Sequence, residues 1–204
     1  MTTPSVALET RPSLLMRLRD TSDREAWSEF VDVYSPLVYG FLRRRSLHDS
    51  DAADVTQEVF LRVSRSIPTF IYSKEQGRFR DWLWTITRNE IRRFHEKRKR
   101  RVAEIQESPD GTLEQLASTG DSAEWNEEFH RHILEVAMKR IEPSFEPQTW
   151  QAFCLVWVNQ VSAIDAAEQV QQSVDFVYVA KSRVLKRLRE EVLVLADHLA
   201  LSFW

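Results

Sequence analysis

Residues 162–195 read SAIDAAEQVQQSVDFVYVAKSRVLKRLREEVLVL. Ser162 is a capping residue by type, and Asp165 stands at the capping-box position three residues on. The short helix that they open, Ala163–Val170, gives way to a tight turn at Gln171–Ser173. Ser173 then caps a long helix whose apolar stripe is Val177, Val184, Leu188, Val192 and Leu195. A short helix, a three-residue turn and a longer basic helix are the spacing of a helix-turn-helix. In that motif the second helix enters the major groove of DNA and the first braces it across the backbone. Many helical bundles also contain short turns, so the pattern alone leaves both readings open.

Composition agrees with helices throughout. Only 4 of the 204 residues are glycine, about 2% against a usual share of roughly 7%. Hairpins and barrels draw on glycine for positive-φ turns, so its scarcity argues against an all-β chain. Neither GxGxxG nor GxxxxGK[ST] occurs, which removes the two phosphate-cradling loops. No run approaches the roughly 20 apolar residues of a membrane span, and the first residues, MTTPSVALETRPS, lack the pattern of a secretory signal. One cysteine, Cys154, forms neither an internal disulfide nor a cysteine zinc cluster. A cytoplasmic protein without membrane insertion is expected.

The net charge of −3 hides strong segregation. Arg78–Arg101 holds ten Lys/Arg against three acids, whereas Val102–Phe129 holds eight acids and no Lys or Arg. Phe176–Arg189 carries five basic residues and no acid, and Asp49–Phe60 carries four acids and no base. Two basic helices in a slightly acidic protein suggest two polyanion contacts, although either alone could be a solvated face.

Before the basic run, Asp23–Tyr34 sets Trp27, Phe30, Val31 and Tyr34 on one helical face. Pro36 suits the first turn of a new helix through Leu37, Val38, Phe41 and Leu42. A third helix spans Ala52–Ser66 and stops at Pro68, and a long one starts near Phe79 and ends in KRKRR. Val102–Gly120, with Pro109, Gly111 and Gly120, reads as an acidic linker. Helices resume at Asp121, with stripes Trp125, Phe129, Ile133, Val136 and then Trp150, Phe153, Cys154, Trp157. The expectation is an all-α protein of two small helical domains, 10–101 and 121–204, joined by a linker at 102–120, the second domain a helix-turn-helix.

Catalytic and metal signatures are weak. There is no HExxH, and His130 and His132 point to different helix faces. Glu128, His132 and Glu135 share a face, but a mixed-charge surface helix is the simpler reading. Cys154 sits on an apolar stripe and reads as a core thiol rather than a nucleophile. No catalytic residue, metal or cofactor is assigned, and the protein is expected not to be an enzyme.

Three stretches carry a family resemblance: RPSLLMRLRDTSDREAWSEFVDVYSPLVYGFLRR (11–44), DAADVTQEVFLRVSRSIPTF (51–70) and GRFRDWLWTITRNEIRRFHEKRKR (77–100), with a weaker fourth in VSAIDAAEQV (161–170) and VAKSRVLKRLREE (179–191). The chain resembles the extracytoplasmic-function (ECF) sigma factors of the sigma-70 superfamily, specificity subunits of bacterial RNA polymerase. The resemblance implies that 10–101 is a region 2-like domain that binds core polymerase and recognises and melts the −10 element. It implies that 121–204 is a region 4-like domain reading the −35 element. Core polymerase and promoter DNA are then the partners, with an inhibitory anti-sigma or other regulatory protein beside them.

Carried over residue by residue, Asp54, Gln57, Glu58 and Phe60 are the implied polymerase contacts. An acidic, partly apolar helix face suits a basic helical partner, while Val55 and Val59 are core. The melting segment combines aromatic and basic groups, the two kinds that hold single-stranded bases and their backbone. Within it the implied DNA contacts are Tyr72, Ser73, Lys74 and Arg78 of the loop, and Arg80, Trp84, Arg88, Asn89, Arg92 and Arg93 of the following helix. Trp82 and Leu83 read as core. For the −35 element they are Lys181, Ser182, Arg183, Lys186 and Arg187. Two departures stand out: Gln171 where the family commonly has glycine, and Ala180 where an arginine is often found. With Asp175, Phe176 and Tyr178 at the start of the helix, they leave open which bases are read. A stand-alone helix-turn-helix regulator and a helical adaptor remain the alternatives, and the acidic 102–129 stretch could fold back on the basic surfaces.

Overall fold

The computed structural model describes residues 14–70, 79–105 and 120–196, and all regular structure in them is helical. In chain order the helices are α1 (Leu14–Arg17), α2 (Arg24–Arg44), α3 (Asp49–Ser66), α4 (Phe79–Ile105), α5 (Gly120–Ile141), α6 (Pro147–Phe153), α7 (Ala163–Val170) and α8 (Val174–Ala196). Short 3-10 turns follow α3 at Ile67–Thr69 and α5 at Glu142–Ser144. After α6 the chain widens into a π-turn at Cys154–Val158. The all-α expectation holds, and the helices start and stop close to their sequence signals.

The first difference lies at Pro36. Two helices meeting there were expected; α2 instead runs unbroken through it. Proline removes the hydrogen bond to the carbonyl four residues back, here Asp32, and crowds it. The apolar stripe nevertheless continues in phase on both sides, with Phe30, Val33, Tyr34, Leu37, Val38, Phe41 and Leu42 all buried. Each such burial is worth about 1.5–3 kcal/mol, so keeping the stripe straight outweighs one lost hydrogen bond. Asp23 caps this helix, accepting from the Ala26 amide at 2.8 Å. A second difference is the length of α4, which continues past KRKRR to Ile105.

One apolar cluster runs from Leu14 to Ala196. It joins Phe30, Tyr34 and Phe41 of α2, Val55 and Val59 of α3, and Phe79 and Leu83 of α4 to Trp125 and Phe129 of α5 and Leu188 and Leu195 of α8. The Tyr34 hydroxyl donates to the Leu195 carbonyl at 2.7 Å, across 161 positions of sequence. Helical blocks of this size lie near the lower limit for an independent core, and here they share one. A smaller cluster of Ala152, Ala166, Ala167, Val170, Val177 and Ala180 locks α6, α7 and the first half of α8 together.

The short helix, the tight turn and the long helix of the sequence reading are formed, at Ala163–Val170 and Val174–Ala196. Ser162 Oγ accepts from the Asp165 amide at 3.2 Å and donates to its carboxylate at 2.7 Å. Ser173 Oγ accepts from the Phe176 amide at 3.1 Å. Gln171 takes φ 54°, ψ 44°, the left-handed conformation that glycine adopts without strain. The departure from glycine at this position therefore changes the cost of the turn and leaves its geometry intact.

Candidate nucleic-acid interface

On α4, Thr85, Arg88 and Arg92 are exposed and Asn89 half-buried, four residues at i, i+3, i+4 and i+7 on one face. Arg88 has no ion pair among the described residues; Arg92 lies 3.5 Å from Glu96 with both side chains open to water. Such a surface pair is worth about 0–1 kcal/mol and yields readily to a phosphate. Arg93 is held more firmly, 2.5 Å from Glu90, whose buried carboxylate also faces Arg62 at 3.4 Å. The charged run Lys97–Arg100 extends this exposed basic surface.

Two residues expected to contact DNA are engaged inside the fold. Trp84 is 9% exposed, stacked on Trp125 at 5.5 Å and edge-on to Phe41 at 5.3 Å. Its side of α4 is covered by α5, a helix more than thirty positions away in sequence. Arg80 lies 3.0 Å from Asp81 and 2.9 Å from His130 Nε2, and its carbonyl accepts from Trp125 Nε1 at 3.2 Å. Trp82 packs against Phe70 and Phe79 as expected. Tyr72, Ser73, Lys74 and Arg78 lie outside the described residues, as does most of the acidic stretch 102–120.

On α8, Ser182, Arg183 and Lys186 are exposed and Lys181 is half-buried, and Arg183 has no ion pair among the described residues. Arg187 differs from the expectation. It lies 3.1 Å from Glu191 and 3.8 Å from Glu190. Glu191, 4% exposed, also faces Arg140 of α5 at 3.6 Å, and Arg140 is 2.5 Å from Glu29 of α2. Glu29 in turn accepts from Arg17 at 3.2 Å. This chain of charges fastens α8 to α5 and α2, and it engages Arg187 within the fold. A buried carboxylate needs such partners, because an unpaired one would cost several kcal/mol.

The acidic helix α3 shows a clean outer stripe. Asp54, Gln57 and Glu58 are exposed, and the stripe is completed at i+7 by Leu61, 43% exposed. Phe60 is turned inward instead, its ring 5.4 Å from Phe30. Leu61 is the apolar group that the sequence reading missed. Its phase, out of register with Val55, Val59 and Val63, is the signal that finds it. A cleft beside this stripe is lined by Asp51, Asp54, Glu58, Arg93, Phe94 and Lys97, so α3 presents acids along a border of α4 bases.

A few groups show their environment in their proton affinity. Burial, reinforced by the charge of Arg98, holds His95 below the usual histidine range, and neither ring nitrogen has a hydrogen-bond partner among the described residues. The hydrogen bond from Arg17 lowers Asp23, which keeps the α2 cap ionised. Burial raises the Cys154 thiol, the opposite of what a nucleophile needs. Among the described residues no cluster of three metal-ligating side chains occurs, and no helix is long and apolar enough to cross a membrane.

Comparison with known proteins adds an independent finding. Residues 30–101 match the family model described as Sigma-70 region 2. The chain is 37% identical over 70 residues to the ECF RNA polymerase sigma factor SigE of Mycolicibacterium smegmatis, covering 34% of this chain and 26% of that one. It is 33% identical over 116 residues to the ECF RNA polymerase sigma factor BldN of Streptomyces coelicolor, covering 51% of this chain and 43% of that one. It thus spans less than half the length of either relative. A solved structure of an RsbN–BldN complex aligns at TM-score 0.33 and 22% identity, over 86% of this chain and 96% of that one. The likeness to ECF sigma factors read from the sequence is borne out by these relatives, and the sigma-70 region 2 match at 30–101 takes in α3 and most of α4.

Proposed function

We propose, from the sigma-70 region 2 match over residues 30–101, that this protein is a sigma factor that binds bacterial core RNA polymerase in the cytoplasm and directs it to specific promoters. Asp54, Gln57, Glu58 and Leu61 of α3 form the polymerase-binding stripe, acids around one apolar contact. Arg88, Asn89 and Arg92 of α4, with the preceding loop at 71–78, track the opened −10 strand. Lys181, Ser182, Arg183 and Lys186 of α8 face the −35 duplex. The protein contributes binding and strand separation without a catalytic step of its own, and an inhibitory anti-sigma or other regulatory protein controls it. Region 2 corresponds to 10–101, the linker to 102–120 and the −35 reader to 121–204.

The observation that supports this reading most directly is the pairing of two stripes within one matched segment. An exposed acidic face at 54–61 of α3 and an exposed basic face at 85–92 of α4 occur on successive helices, with opposite charges suited to different partners. A helix-turn-helix regulator acting alone would leave the α3 stripe without a role. Run-off transcription with bacterial core polymerase tests it. The chain should support initiation, and Glu58→Arg with Asp54→Arg should lower core affinity about tenfold or more by placing like charges against a basic partner. Absence of core binding by the unsubstituted chain would remove the proposal.

A further inference from the structure

The first half of α8 carries two exposed apolar side chains that neither the fold nor a plain electrostatic contact uses. Tyr178 is 58% exposed and Val179 47% exposed. They sit one turn before Ser182 and Arg183, on the side of the helix opposite Val177, Ala180 and Val184, which face the small core. Along the face, Asp175, Val179 and Arg183 follow at i, i+4 and i+8, and Tyr178, Ser182 and Lys186 form the neighbouring row. The polar positions suit phosphates and base edges; the two apolar ones do not.

We infer that Tyr178 and Val179 are specificity-determining residues that read thymine methyl groups in the major groove of the −35 duplex, beside a guanine read by Arg183. The inference rests on the sigma-factor reading above and names the base chemistry that this helix recognises. Three observations converge on it. First, the second helix of a formed helix-turn-helix is the element that enters the groove, and the small cluster holds it rigidly to α6 and α7. Second, thymine is the base that offers an apolar group in the major groove, and an apolar side chain is its complement, whereas arginine pairs with guanine O6 and N7. Third, Lys181, Arg183 and Lys186 follow the pair within the next two turns, so the patch is suited to a polyanion rather than to an apolar protein surface.

Spacing agrees. From Tyr178 to Arg183 the helix rises about 7.5 Å, about two base-pair steps of B-DNA, so the methyl and guanine contacts fall about two base pairs apart within one short site. Asp175, one turn earlier, accepts hydrogen bonds only, and in the groove its complement is the cytosine amino group.

The experiment is selection from a randomised duplex library with the full chain bound to core polymerase, followed by replacement of each selected thymine with deoxyuridine. That substitution removes one methyl and leaves every hydrogen-bonding group in place. Binding should fall about fourfold at each contacted position, the factor that one buried methylene is worth. Tyr178→Ala with Val179→Ala should abolish the difference between thymine and deoxyuridine while keeping the guanine preference. Val179→Thr, which retains a methyl, should keep part of it. Arg183→Ala should do the reverse, losing the guanine and keeping the methyl effect. Both apolar residues are solvent-exposed, so unchanged circular dichroism accompanies the alanine variants. A selected site that binds equally with deoxyuridine overturns this inference alone. Failure to select any duplex, with core polymerase bound, overturns the −35 reading along with it.

Discussion

At the level of single residues, the left-handed Gln171 shows how a position can depart from the expected residue without changing the motif. The turn between α7 and α8 needs a positive φ, and a side chain there costs about 1–2 kcal/mol of steric energy. Glycine removes that cost and adds back some unfolded-chain entropy. Gln171→Gly should therefore stabilise the protein by about 0.5–1 kcal/mol, measured by urea denaturation, with DNA affinity unchanged. Trp84, Arg80, Phe60 and Arg187 teach a related lesson. Each has the chemistry of a contact residue, and three are taken up by neighbours invisible in local sequence, α5 for Trp84 and Arg80 and α2 for Phe60, while Arg187 pairs with Glu191 one turn along its own helix, a carboxylate that Arg140 of α5 helps to bury. Arg88, Arg183 and the α3 acids Asp54 and Glu58 are exposed among the described residues, as contact residues would need to be.

Among the elements, helices were legible because their apolar residues recur with the helical period and their caps have recognisable side chains. The capping box at Ser162 and Asp165 and the cap at Ser173 form as their types dictate. Pro36 was misread because local chemistry, a proline favoured at a first turn, pointed one way and the apolar stripe pointed the other; the stripe prevailed. The residue is exposed, so Pro36→Ala should restore the hydrogen bond to Asp32 without opening a cavity. The expected gain is about 1–3 kcal/mol, somewhat below the full proline penalty because alanine also loosens the unfolded chain. A rise in the urea midpoint with no change in slope would register it.

For the molecule as a whole, the sharing of one core by both helical blocks was the least legible feature. Composition and the 102–120 stretch mark a boundary in sequence, but nothing local says that the stripes of α5 and α8 will be satisfied by α1, α2 and α4. The charge chain Arg17–Glu29–Arg140–Glu191–Arg187 adds to this joint. A double-mutant cycle with Glu29→Gln and Arg140→Gln should give a coupling of about 0.5–1.5 kcal/mol, since both groups are largely screened from water. A value near zero would leave the joint to apolar burial alone.

The stacked indoles of Trp84 and Trp125 carry a practical corollary. They belong to opposite sides of that joint and stack at 5.5 Å, so exciton coupling between their strong far-ultraviolet transitions should add to the dichroism only while the two halves touch. The chain thus comes with its own optical gauge, needing no attached dye, for whether docking on another macromolecule pries the halves apart.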